Sequence, residues 1–337
     1  MSMSRFGGGL AVAAAVATLL GVAACSGGEP EGDQVIELKF GHVGAPESLY
    51  DVVITEFARR VNERLAGRVE VTVFGSSQLG NDETLLQKLK LGTVDLALPS
   101  TIMSSTIDLF GLYELPYLVQ DREHMMRMEE AIVWPDLAPA AEAQGYRVLA
   151  LWENGFRHIT NNRGPIVTPE DLKGLKLRTP RGIWRVKLFQ ALGANPTPMP
   201  FSEVFIALQT GVMDAQENPL AQIYSAKLHE VQSYLSLSGH VYTPGYLTVG
   251  SRRWERLPQD VRDTIAAIGR EMQPFVYENA ARMDEEILAA MAEEGLAVNE
   301  VDREAFRAAS QAVYDEFAAT VEGGQALLDK AIPLARP

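Results

Sequence analysis

The chain has 337 residues, more than one ordinary core holds and enough for two α/β domains. Its formal net charge of −14 argues against nucleic acid as a partner, because a phosphate backbone needs a basic face. A single cysteine excludes an internal disulfide or a multi-cysteine metal site, and the five histidines show no metal-ligand spacing, so neither metal nor cofactor is expected.

Residues 1–24 read as an export signal: Arg5, then a Gly-, Ala-, Val- and Leu-rich run ending in Val22-Ala23-Ala24. Cys25 follows directly, as in a bacterial lipobox, and is the expected lipidation site of a periplasmic, lipid-anchored protein. Ordinary cleavage near Ala24 is the alternative. Residues 25–34 are polar and Gly-rich and suit a flexible tether.

Val35 to Phe40 alternates as a strand, and the loop after it carries His42 and Glu47. Tyr50 to Leu65 has helical apolar spacing, and Val69 to Phe74 is a second strand. The turn Gly75 to Gly80, which includes Gln78, lacks the Gly-Lys-Ser/Thr ending of a phosphate loop. Asp82 and Glu83 open a helix that Gly92 ends, and Val94 to Leu98 is a third strand, giving β-α-β-α-β order. Leu89, Gly92 and Asp95 recur at the same spacing as Leu208, Gly211 and Asp214, which suggests two similarly built domains.

Val148 to Trp152 is a strand, and the chain is expected to cross into a second domain near Asn154 to Phe156. Leu175 to Arg178 is a buried strand stopped by Pro180, so Arg178 stands where α/β folds present side chains to ligands. A helix over Ile183 to Leu192, a Pro-rich strand and a second helix capped by Ser202 follow. Gln216-Glu217-Asn218-Pro219 reads as a buried polar turn. Arg178 and Asn218 would converge on a small carboxylate. An arginine in a surface ion pair and an asparagine in a turn are the bland alternative. Pro258 to Glu294 is one long helical stretch that Pro274 should kink, and Asp302 to Leu328 is a further helix or two.

LKLRTP, then GANPTPMPFSEVFIALQTGVMDAQENP, resembles the substrate-binding protein of tripartite ATP-independent periplasmic (TRAP) transporters. NGFRHITN upstream and GSSQLG early in the chain fit at matching order, so the resemblance covers nearly everything after Gln34. It implies a type II-like periplasmic-binding-protein fold, two α/β domains around a cleft with a long domain-spanning helix. The domains would be residues 35–154 with about 244–285, and 155–243 with about 286–310, before a helical segment at 311–337. The family's selectivity arginine falls on Arg178, its second cleft arginine on Arg157, its carboxylate-binding asparagine on Asn218 and its ring-packing aromatic on Phe201. Glu217 would orient Arg157, while Glu47, His42, Trp152, Arg181 and Gln78 are further site candidates, together with Glu153 in a strand end.

The function expected is capture of an organic acid by hinge closure for delivery to TRAP membrane subunits, without chemistry on the solute. A hydroxylated carboxylate such as a uronate or aldonate is favoured over an aromatic or other small carboxylate. A sensory binding protein feeding a membrane receptor is the rival from another class. An enzyme is disfavoured, since no Gly-x-Ser-x-Gly elbow is present.

Overall fold

A computed structural model describes residues 35–335. Expectations for the signal, the tether and Cys25 lie outside the described residues. Among the described residues nine strands form one sheet, in the spatial order 69–74, 36–41, 96–97, 234–250, 146–161, 215–219, 176–179 and 195–198, with 297–300 paired to 234–250.

The first half is built from β1 (Ile36–Gly41), α1 (Leu49–Arg64), β2 (Val69–Phe74), α2 (Asp82–Leu91) and β3 (Leu96–Ala97). Ser48 caps α1 by accepting from the Asp51 N–H at 3.2 Å, and Val53, Ile54, Phe57 and Val61 form its buried stripe. Phe57→Ala would cost about 3–5 kcal/mol through the cavity left behind. Asn81 caps α2 through the Thr84 N–H at 3.0 Å, and Gly92 ends it in the left-handed conformation at φ 72°.

Helices α3 (Arg122–Met128) and α4 (Ala138–Ala143) flank a wide π-type turn over Glu129–Leu137 and lead into β4 (Tyr146–Asn161). The second half repeats the first. It contains β5 (Lys176–Thr179), α5 (Ile183–Ala191), β6 (Asn195–Pro198), α6 (Val204–Gln209) and β7 (Ala215–Pro219). In each half the first strand lies parallel between the other two: β1 between β2 and β3, β5 between β6 and β7.

The repeated Leu-Gly-Asp phrase does the same job in both halves. The Asp95 carboxylate accepts the Lys39 N–H at 2.8 Å, and the Asp214 carboxylate accepts the Lys176 N–H at 3.0 Å. Each aspartate also takes an arginine, Arg253 at 2.9 Å and Arg163 at 2.7 Å. The phrase therefore fixes where the third strand starts beside the first.

After α7 (Leu220–Ser225), the 17-residue β8 (Tyr234–Gly250) runs antiparallel to β4 and joins the two parallel halves. Register shifts interrupt this pair, one of them between Glu153 and Gly155, where Gly155 takes φ 122°. The short α8 (Ser251–Trp254) precedes α9 (Gln259–Glu271) and α10 (Gln273–Glu293). The expected kinked helix is thus two helices that break at Met272, with Pro274 in the first turn of α10, where its missing N–H costs least. α9 lies close on the central strands: a Cβ on Gly269 would meet Leu247 at 2.7 Å. α10 packs on α1, β4 and α7, so it spans both halves. β9 (Ala297–Glu300) and three helices rather than two, α11 (Arg303–Ala309), α12 (Gln311–Thr320) and α13 (Gly324–Ala331), complete the chain.

Two local expectations fail. Gln216 to Pro219 is a strand, because its neighbours β4 and β5 both take its backbone hydrogen bonds. Ser202 caps nothing: Phe201–Glu203 is a 3₁₀ turn without a side-chain cap, and α6 starts beyond it.

Candidate functional site

A cavity partly open to solvent is walled by both halves of the sheet. From the second half come Arg178, Arg181, Phe201 and Asn218, with Arg157 from β4. β4, β7 and β5 are neighbours, which brings Arg157, Asn218 and Arg178 to one wall from separated stretches of chain.

Arg157 is locked. Its Nε donates to Glu217 Oε2 at 2.5 Å, and its Nη2 donates to Glu217 Oε1 at 2.9 Å, the Glu217 carbonyl at 2.6 Å and Asn218 Oδ1 at 3.0 Å. Glu217 is fully buried and serves a second arginine, accepting from Arg185 Nη1 at 2.5 Å. Arg185 reaches on to Glu114 Oε2 at 2.8 Å. Two cations and two carboxylates therefore balance. His240 Nε2 lies 3.0 Å from Glu217 Oε2, and its Nδ1 lies 2.8 Å from Ser238 Oγ. Burial holds His240 below its usual pKa, so the network assigns a neutral ring that donates from Nε2. Burial opposes the Glu217 charge, but Arg157 and Arg185 outweigh it and hold this carboxyl well below the usual range.

Arg178 is the opposite case. It is 2 % exposed, and its side-chain hydrogen bonds go to one backbone oxygen: Nε and Nη2 both donate to the Met199 carbonyl, at 3.0 and 2.6 Å. Among the described residues no carboxylate forms an ion pair with it. Burial, and after it the charge of Arg157, push its pKa down. The Phe201 ring lies 5.9 Å from its Cζ, a weak cation–π contact that adds no negative charge. A buried cation on a cavity wall without an ion-pair partner has the charge and the planar fork that a carboxylate would match.

Asn218 spends Nδ2 on Gln216 Oε1 at 2.6 Å and keeps a second N–H. Arg181 also reaches the wall, but its guanidinium pairs with Glu83 Oε2 at 2.6 Å, an exposed bridge between β5's loop and α2.

Other candidates do not reach the cavity. Trp152 is a core residue, fully buried, donating to the Gly269 carbonyl at 2.9 Å and meeting Phe57 edge-on at 5.6 Å. His42 is buried beside Gly75, and burial lowers its pKa to about 4. Glu47 is exposed at the start of α1, where its N–H donates to Asp51 at 3.0 Å. Gln78 is an exposed turn residue whose N–H bonds the Gly75 carbonyl at 3.0 Å. Glu153 turns inward to a bidentate pair with Arg122 at 2.7 Å. Glu217 stands behind Arg157 and does not touch the cavity. Trp152, His42 and Glu153 turn into the protein interior, Glu47 and Gln78 stay exposed outside the cavity, and Glu217 holds Arg157 as the sequence reading expects.

Residues passed over in the sequence complete the walls: Tyr50 on α1, Asp82 on α2, Asn154 on β4 and Gln222 on α7. Arg185 left a signal, since it shares the buried face of α5 with Leu188 and Phe189, where a cation needs a partner. Among the described residues no group of acidic, histidine or cysteine side chains could hold a metal.

The profile of the family described as "Bacterial extracellular solute-binding protein, family 7" matches residues 40–320. The chain belongs to that family, the solute-binding proteins of TRAP transporters. It is 33% identical over 294 residues to the 2,3-diketo-L-gulonate-binding periplasmic protein YiaO of Escherichia coli, covering 86% of this chain and 90% of that one. The sugar acid binding protein DctPAm of Advenella mimigardefordensis, solved with galactonate, superposes at a TM-score of 0.86 with 32% identity, over 89% of this chain and 99% of that one. A TRAP periplasmic solute-binding protein from Sulfurospirillum deleyianum with bound succinate gives 0.85 with 33% identity, over 89% of this chain and 99% of that one. The fold is accordingly the two-domain, type II-like periplasmic-binding-protein fold, and the family binds solutes for membrane subunits to move. No helix among the described residues is long and apolar enough to cross a membrane.

Proposed function

We propose that this protein captures a hydroxylated carboxylate, of the uronate or aldonate kind, between its two lobes and releases it unaltered to its TRAP membrane subunits. The observation that carries this reading is Arg178, buried on the cavity wall with only the Met199 carbonyl to bond. The solute carboxylate supplies the missing charge through a bidentate pair, with the spare Asn218 N–H beside it. The relatives named for galactonate and diketogulonate support a polyhydroxylated acid.

The lobes are residues 35–154 with about 244–285, and 155–243 with about 286–310, meeting at the register shift near Gly155. A solute that touches both lobes only when they are shut stabilises the shut form by its differential affinity. The mature protein acts as a monomer tethered through a lipid on Cys25. A Cys25→Ser variant should leave the membrane fraction, and one that stays there removes the tether from the proposal.

The deciding experiment is calorimetric titration of sugar acids into wild type and Arg178→Ala. Loss of roughly 2–5 kcal/mol of binding is expected. Unchanged affinity in the variant would sink the proposal.

A further inference from the structure

Among the described residues, the cavity wall carries a cation, Arg178, and an anion, Asp82, that form no ion pair. Arg157 is neutralised by Glu217, and Arg181 by Glu83, which leaves Arg178 as the site for a carboxylate. Asp82, at the start of α2, lines the same cavity; its carboxylate accepts from its own backbone N–H and, among the described residues, forms no ion pair. It lies near enough for Arg178 to lower its pKa, yet burial dominates and raises it to about 6. Much of it is therefore ionised at neutral pH.

Another wall group has an unmet need. Gln222 Oε1 is buried without a hydrogen-bond partner, in a side chain only 4 % exposed, and the Tyr50 hydroxyl, bonded to Ser100, lines the same wall. Asn154, which bonds Gln222 at 3.5 Å, stands beside them. A carboxylate and an amide oxygen only accept, so their partners must donate. A sugar hydroxyl donates and accepts; a second carboxylate on the solute only accepts and brings like charge to Asp82. The N-terminus of α2 would otherwise attract an anion, but Asp82 and Glu83 in its first turn already answer it.

We propose that Asp82 makes this cavity selective for acids with a single carboxylate, by accepting hydrogen bonds from the hydroxyl tail and repelling a second carboxylate. This rests on Arg178 as the carboxylate anchor. It separates two solute classes that the family allows, since relatives are solved with galactonate and with succinate. Discrimination of this kind is built from a repulsive element as well as an attractive one.

The test pairs acids of equal chain length and matched internal hydroxyls that differ in one terminus: galactonate against galactarate, erythronate against meso-tartrate. Titration calorimetry of the full-length protein at pH 7.5 should show each dicarboxylate binding at least about tenfold more weakly than its monocarboxylate, the effect of one like charge at partly buried contact range. In Asp82→Asn, checked for an unchanged melting temperature, the gap should shrink to about threefold or less, with the monocarboxylate weakened. Equal wild-type affinities within a pair would overturn the role of Asp82 and leave Arg178 standing. An undiminished gap in a folded Asp82→Asn variant would also overturn it. If no monocarboxylate bound the wild type, the proposed function would fail first, and this selectivity with it.

Discussion

Arg157 and Arg178 stand two strands apart on the same cavity wall, both 2 % exposed, and their surroundings differ in one respect. Arg157 has Glu217 and Asn218 around its guanidinium; Arg178 has a single peptide carbonyl. Burial penalises both charges, but only Arg157 has that penalty offset within the protein. The contrast separates a cation paired within the protein from one left without an ion-pair partner among the described residues.

The largest effect should come from breaking the balanced corner. Glu217→Gln leaves Arg157 and Arg185 with one carboxylate between them, and denaturant unfolding should show a loss of about 3–5 kcal/mol. The pH profile sharpens this. Because folding depresses the Glu217 pKa, its stabilisation is present above the unfolded value of 4.5 and lost as pH falls through the folded value. The Gln variant should lack that acid-side loss.

Arg178→Lys tests the other corner. The charge stays but the fork is gone, so affinity should fall by roughly 1–3 kcal/mol in calorimetry while the unliganded melting temperature changes little. Wild-type affinity in the lysine variant would show that the site wants charge alone.

An acid extends the comparison. Glu129 is buried with neutral partners, Gln273 at 2.5 Å and Trp134, and burial raises its pKa from 4.5 to about 7. A raised carboxyl contributes stability that is present below pH 4.5 and lost as pH rises through about 7. Glu129→Gln should therefore melt higher than wild type at pH 8, by about 1–3 kcal/mol, and no higher at pH 4. Equal curves at both pH values would contradict an unpaired charge there.

The smallest effect should be at Arg181–Glu83. Both partners are about half exposed, so Arg181→Ala should change solute affinity by less than about 1 kcal/mol, and 1 M salt should erase the difference.

Much of this was legible in the chain. β2 and the Gly92 stop follow directly from alternation and from a glycine that can adopt φ 72°. The repeated Leu-Gly-Asp phrase marked two halves of like topology, because an aspartate at a strand start has one geometrically suitable use, bonding the neighbouring strand's N–H. The strand-end position of Arg178 before Pro180 fits a surface ion pair as well as a cleft, and it is the TRAP resemblance that singles it out as a ligand candidate; the fold buries it on the cavity wall. Trp152 and His42 misled for the same reason: a residue near a crossover or after a strand satisfies the same local pattern whether it faces the cleft or the core.

By itself, the sequence determined what is local: which segments extend or coil, where glycine and proline stop them, and that an arginine stands near the end of β5. The tertiary structure alone decided which charges meet. Glu217 lies 60 residues from Arg157 and 32 from Arg185, and Glu114 lies 71 from Arg185. Whether a buried arginine is neutralised or left open depends on such distant partners, since electrostatic energy follows separation in space and no spacing rule along the chain encodes it.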